Sequence, residues 1–221
     1  NEKWIKRKGL QFHWHNKDYN SFDDFLSKLK SSKRKAIRKE RRTILNNNLI
    51  IQKVTGNELN SEMWDSFYNF YLNTIDKKWG GAYLTKSFFN LINKTMKNKI
   101  LLIIARQNNK IVAGALNFIG EDTLYGRNWG SIVDIPFLHF ELCYYQAIEY
   151  AIDNNIKTVE AGAQGHHKIQ RGYVAESIYS CHLIQNESFA KAVRNFVQIE
   201  AKEIDRQIEL INEQGSPYSN I

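Results

Sequence analysis

The chain has 221 residues, enough to bury a sizeable core as one large domain or two small ones. At 43% hydrophobic and 24% charged it has a globular composition, and no apolar run reaches the roughly 18 residues of a membrane span, so no membrane-spanning role is expected. Net charge is +8, which points to anionic partners: phosphate groups, nucleic acid or an acidic surface.

Two cysteines, Cys143 and Cys181, stand without a C-x-x-C pair, so neither a disulfide framework nor a zinc site is expected. That usage, with no signal-peptide profile, fits a reducing compartment, the cytoplasm. The first residue is Asn1, and the chain reads as part of something longer.

In chain order, "LQFHWH" (10–15) alternates as a short strand. "SFDDFL" opens a helix capped by Ser21, with Asp23 and Asp24 in its first turn. A basic helix follows from Ser31 to about Leu45. "LIIQKV" (49–54) is a strand ended by Gly56. "SEMWDSFYNFYLNTI" is an amphipathic helix with Met63, Phe67, Phe70 and Thr74 on one face, closed by "KKWGG". Thr85 caps a helix carrying Phe88, Phe89, Ile92 and Met96.

The period then changes. "ILLIIA" (100–105) is apolar on both faces, a fully buried strand, and Asn108–Asn109 is a hairpin turn. "IVAGALNFIG" and "TLYGRNWG" continue an antiparallel meander. Residues 137–155 form a helix with Leu138, Leu142, Tyr145, Ile148 and Ile152 inward. The strands "KTVEAG" and "ESIYSCHLI" (176–184) follow, and a helix from about Ser188 to Asn212 closes the chain. This order predicts an α/β (α+β mixed) fold: a central mixed, mostly antiparallel sheet with helices on both faces, as a single domain over 1–221.

Four places carry candidate chemistry. "KLKSSKRKAIRKERR" (28–42) has nine Lys or Arg against Glu40 alone. On a helix, Leu29, Ala36, Ile37 and Ile44 form the inward stripe and Arg34, Lys35, Arg38, Lys39 and Arg42 the outward face, which suits phosphate binding as well as a solvated surface. Glu40 falls inside the stripe and must be paired or protonated. In "TLYGRNWG", strict alternation puts Tyr125, Arg127 and Trp129 on one face, an aromatic and basic cleft wall or a cross-strand packing row, with Gly126 permitting a close approach. His139 and Glu141 begin the 138–154 helix, where an anion is favoured and a capping or ion-pair role is equally open. His13 and His15 share a strand face but have no third ligand beside them, so no metal is expected there or at His166, His167 and His182.

The densest cluster is "VEAGAQGHHKIQRGY" (159–173). Glu160 ends a strand where ligands of open sheets gather, and it could take a proton from an amine. Gly162 and Gly165 let the backbone bend, Gln164 and His167 lie in the same segment, and Lys168 and Arg171 would oppose a phosphate or an oxyanion. A structural ion-pair network is the competing reading.

"QFHWHN", "SSKRKAIRKERR", "DTLYGRNWG", "FLHFELCYYQAIEYAI" and "EAGAQGHHKIQRGY" together resemble the FemAB-like peptidoglycan biosynthesis/recognition family of the GNAT acyltransferase superfamily, over about Leu10 to His182. The resemblance implies a GNAT-like fold and a preceding GNAT-like half that this chain lacks, with residues 1–20 as the linking strand. "GAQG" is typically followed there by Glu-His-Lys; here His166 takes the first place, leaving His167 and Lys168 as the matching pair. "RNWGSI" (127–132) departs from the pyrophosphate loop of CoA-binding acetyltransferases, and "IQRGY" places Gln170 where the aminoacyl-tRNA-dependent Fem enzymes carry lysine.

The expected function is an N-acyltransferase that passes an acyl or aminoacyl group from acyl-CoA or aminoacyl-tRNA to an amine, in cell-wall precursor metabolism. Glu160, His167 and Lys168 are its catalytic candidates. Arg34, Lys35, Arg38, Lys39, Arg127, Arg171, Gln164, Tyr125, Trp129, His139 and Glu141 are candidates for binding an anionic or phosphate-bearing substrate. The alternative is a non-catalytic module that binds a polyanion such as tRNA or a nucleotide-linked precursor.

Overall fold

The structure, a computed structural model, describes residues 3–76 and 81–219. These divide into two compact units: His15 to Ala161, and the residues up to Trp14 together with those from Gly162 onward.

The larger unit is built on a sheet of order β2-β3-β4-β5-β6. Strands β2 (Ile50–Thr55), β3 (Ile100–Gln107), β4 (Lys110–Ile119) and β5 (Thr123–Ser131) pair antiparallel in sequence. The short β6 (Thr158–Glu160) joins β5 in parallel, so the sheet is mixed. Asn108 and Asn109 take positive φ (49° and 64°) at the β3–β4 turn, the conformation a tight hairpin demands.

β3 is buried on both faces, as its unbroken apolar run requires. Ile100, Leu102 and Ile104 enter the core beneath α3 (Ser61–Asp76) and α4 (Lys86–Met96), where Met63, Phe67, Phe70, Phe89 and Ile92 meet them. Thr85 caps α4 by accepting from the Phe88 amide. The "KKWGG" closure of α3 falls largely on residues 77–80, outside the described residues. Leu101, Ile103 and Ala105 occupy the other face, toward the helical run that begins at Leu138.

That run is one rod in three parts: α5 (Leu138–Phe140), a π-helical turn (Glu141–Tyr145) and α6 (Gln146–Asp153). All five residues expected inward are buried. The π turn is the departure, and such turns insert a residue into an α-helix, frequently at functional sites. α1 (Phe22–Ser27) is capped by Ser21 through the Asp24 amide, and α2 (Ser31–Asn46) follows it.

In the smaller unit β1 (Trp4–His15) pairs antiparallel with β7 (Val174–Leu183), from Trp4↔Leu183 to His13↔Val174. β1 starts six residues earlier than "LQFHWH" predicts. Its polar first half is held by the ladder and by side-chain partners: Lys6 lies 3.7 Å over the Tyr179 ring, Arg7 pairs with Glu200 at 2.6 Å and Lys8 with Asp205 at 2.6 Å. A 3-10 turn (His166–Arg171) precedes β7, and α7 (Glu187–Gly215) closes the chain, capped by the Asn186 side chain.

Candidate active site: a strand end and a lysine-stapled loop

In the larger unit the parallel ladder stops at Tyr125↔Glu160. β5 runs on to Ser131 while β6 ends, so the pairing stops at the carboxyl end of a parallel pair, the place where open sheets bind ligands. Glu160, half-buried, ends β6 at this point. The close approach expected at Gly126 is made by the chain itself: a Cβ there would lie 3.0 Å from the Glu160 carbonyl oxygen. Beneath it the buried Asn117 donates to the Leu101 and Ala115 carbonyls, each at 3.3 Å. A buried amide within the otherwise apolar "IVAGALNFIG" was the signal that could have drawn attention to it.

The aromatic row expected on β5 does not form. Leu116 pairs with Asn128 and Asn117 with Gly126, which leaves Arg127 as an extra residue in a β-bulge. Alternation inverts across it. Tyr125 lies opposite Phe118 on the α3 side, whereas Trp129 lies opposite Ala115 on the other face. There its ring meets His139 edge-on at 5.1 Å, and His139 meets Tyr144 at 5.2 Å. Arg127 is exposed at the bulge, and Tyr125 is 42% exposed.

α2 also turns differently from expectation. Ala36 is exposed, and the inner stripe is Ile37, Glu40, Arg41 and Ile44, spaced 3, 1 and 3 as one helix face allows. Glu40 is paired, as its position requires: the Tyr145 hydroxyl donates to its carboxylate. Arg41 reaches Glu141 at 3.1 Å and Glu149 at 3.3 Å, and stands 4.6 Å over the Phe22 ring. Glu141, 3% exposed, also accepts from the Gln146 side chain at 2.7 Å. Of its two readings it takes the ion-pair one. Burial holds its carboxyl above the ordinary range, outweighing Arg41 and Gln146. Burial works against the Arg41 charge too, but the two carboxylates outweigh it.

Of the outward cations, Arg34 turns back to donate to the Ser27 and Leu29 carbonyls at 3.2 Å, closing the end of α1. Arg38 pairs with Asp23 at 2.9 Å. Lys35, Lys39 and Arg42 are exposed.

In the smaller unit the glycine-rich loop is held from inside. Lys168 is 3% exposed, and its ammonium donates to the Gly162 carbonyl at 3.1 Å and to that of Gln164. Arg171, also buried, donates to the His167 carbonyl at 2.8 Å. Gln164 and His167 are exposed on the loop so held. Gly165 has φ +98°, and a Cβ there would stand 2.4 Å from His167 Cε1, so only glycine seats that ring. The His167 pKa is lowered by partial burial and by Arg171, Lys168 and His166, which keeps its imidazole neutral near pH 7 and able to accept a proton. His13 bonds Glu176 at 3.0 Å. Among the described residues no group of three His, Cys, Asp or Glu could hold a metal ion, and no helix is long and apolar enough to cross a membrane.

The catalytic candidates thus fall on both units: Glu160 on the larger, His167 and Lys168 on the smaller. Solved structures share this architecture at low identity. The C-terminal domain of a putative lysylphosphatidylglycerol synthetase from Agrobacterium fabrum matches with a TM-score of 0.62 at 11% identity, over 86% of this chain and 64% of that one. L-PGS from Bacillus licheniformis matches at 0.57 and 9%, over 87% and 66%. FemX matches at 0.60 and 10%, over 84% and 64%. The chain spans a little under two thirds of each. No curated protein matches the sequence.

The mixed sheet with its flanking helices is therefore a GNAT-like acyltransferase fold. Within that class the chain belongs to the FemAB-like family, described as peptidoglycan biosynthesis/recognition, whose model matches residues 1–220.

Proposed function

We propose that the chain is an N-acyltransferase that passes an acyl or aminoacyl group to an amine of a cell-wall precursor, with acyl-CoA or aminoacyl-tRNA as donor. The observation that carries this reading is the end of the parallel β5–β6 ladder at Tyr125↔Glu160, with a carboxylate on its last residue and an exposed arginine on the bulge two residues along β5. The family's description and the likeness to FemX support a transferase.

In this reading the acceptor amine attacks the donor carbonyl directly. A C–N bond forms, and the bond to the leaving sulfur or oxygen breaks. Glu160 takes the ammonium proton, with His167 as the alternative base; the thiolate or alkoxide leaves and is protonated. Such a reaction needs positioning and charge stabilisation rather than a covalent nucleophile. Arg127, Lys35 and Lys39 bind donor phosphates. Lys168 and Arg171 fix the loop that presents Gln164 and His167, and they lend it positive potential.

Glu160→Gln in the whole protein should abolish transfer without changing its melting temperature. Lys168→Ala should abolish transfer and also lower that temperature, because two carbonyls lose their donor. Undiminished turnover in Glu160→Gln removes this carboxylate from the mechanism.

A second reading, a non-catalytic polyanion-binding module, rests on the exposed Lys35, Lys39 and Arg42 of α2. Binding of tRNA that weakens steeply with salt, with no turnover of any acyl donor, would favour it.

A further inference from the structure

α7 carries a second apolar stripe besides the one that seats it. Ala190, Val193 and Val197 pack on Ile5 and Ile184, and the Asn212 side chain exchanges two 2.9 Å hydrogen bonds with the Ala175 backbone. Between these fastenings Glu200 and Asp205 pair with Arg7 and Lys8. The inner face is thus fixed along the helix, and the opposite side is held outward. There Phe189, Ala192, Phe196 and Ile199 follow one another at steps of three, four and three; Glu203, Arg206 and Leu210 continue at four, three and four. That alternation is the spacing of a coiled-coil seam. Phe189 is 60% exposed, Phe196 58%, Ile199 73% and Leu210 42%, and apart from these and Ala192 the exposed residues of α7 are polar.

The two charges in the stripe select what can cover it. Glu203 accepts from the Gln207 amide at 3.1 Å, and Arg206 has no hydrogen bond or ion pair among the described residues. A parallel copy of α7 would set Glu203 against Glu203 and Arg206 against Arg206, which repels. An antiparallel copy can do the reverse. In the register that sets Glu203 against Arg206 of the second copy, two-fold symmetry sets Arg206 against Glu203 as well. One layer outward, the same register sets Ile199 against Leu210. On its flank it sets Lys202 against Glu209, both exposed and neither with an ion pair among the described residues. A register centred on Phe196 and Ile199 would instead set Glu203 against Ala192, desolvating a carboxylate with no cation across from it.

We propose that the outer face of α7 is a two-fold, antiparallel interface with a second copy of this chain, in the register Glu203–Arg206, Ile199–Leu210 and Lys202–Glu209. It uses none of the residues assigned to acyl transfer, and association is read without turnover.

The test is sedimentation velocity of the whole protein over a concentration series. The parent should pass from monomer to dimer as concentration rises. Glu203→Arg brings arginines face to face in the seam, and Arg206→Glu brings carboxylates face to face. Each should weaken self-association by about tenfold or more. Mixed in equal amounts, the two variants should form a heterodimer at least as tight as the parent dimer, because opposite charges then meet at both positions. An effect confined within one helix cannot produce that recovery. Ile199→Asp, at an exposed site, should abolish association and leave the melting temperature of the monomer unchanged. A parent that stays monomeric at every concentration, as where another segment or protein covers the face, would overturn the proposal. So would single-charge variants that associate undiminished, or a mixture no tighter than its parts.

Discussion

The Tyr145 hydroxyl, on the last residue of the π turn, donates to the Glu40 carboxylate on the inner stripe of α2. Tyr145 is fully buried, so the bond forms where water competes poorly. Tyr145→Phe should cost about 1–3 kcal/mol in urea denaturation. Glu40→Leu together with Tyr145→Phe should cost less than the sum of the two single changes, because the orphaned partner is removed as well.

Arg41 is the cation for both Glu141 and Glu149. Arg41→Ala leaves Glu141 buried beside Gln146 alone and should destabilise by up to about 3 kcal/mol, its partial exposure softening the loss. Glu141→Gln keeps a polar group in place, removes the desolvated charge and leaves Arg41 with Glu149. It should be within about 1 kcal/mol of the parent at pH 7.

His167 and Glu141 give opposite pH slopes. The folded His167 pKa lies below its ordinary 6.5, so the unfolded chain takes that proton first, and stability is lost as pH falls through 6.5. The folded Glu141 pKa lies above 4.5, so its contribution is greatest below 4.5 and is lost as pH rises through the raised value. Melting temperature against pH should show both windows. His167→Gln should flatten the first, weakly since the ring is largely exposed, and Glu141→Gln the second.

Gly162 and Gly165 separate backbone strain from crowding. Gly162 has φ +76° with open space around it, so Gly162→Ala should cost about 1 kcal/mol. Gly165→Ala adds a collision with the His167 ring and should cost about 2–3 kcal/mol. Equal costs would mean that the ring moves freely aside.

Most of the fold was legible because local chemistry and tertiary packing agree. Ser21 and Thr85 cap the helices they precede, Asn108–Asn109 turns the hairpin, and the apolar 100–105 run is buried on both faces. The site was less legible. Glu141 sits three residues after Leu138 and four before Tyr145, on the inward stripe of its own helix as Glu40 is on that of α2, but its partner lies a hundred residues away on α2. Arg41 was hidden by the charge around it: in a run of nine cations nothing local singles out the one turned inward. Lys168 and Arg171 read as groups awaiting an anion, yet donate to carbonyls of their own loop, which only the folded backbone reveals. The bulge at Arg127 leaves no residue-type mark, so strict alternation was the natural expectation and failed there.

That extra residue makes β5 a strand with a phase slip. Upstream and downstream halves obey the same alternation but half a cycle apart, so counting along the strand misassigns the face of every side chain beyond the slip. Losing one codon at position 127 would bring the halves back into step with Asn128 still opposite Leu116 and Trp129 still opposite Ala115, beside His139. The extra residue can thus be lost or exchanged while the walls on either side keep their faces.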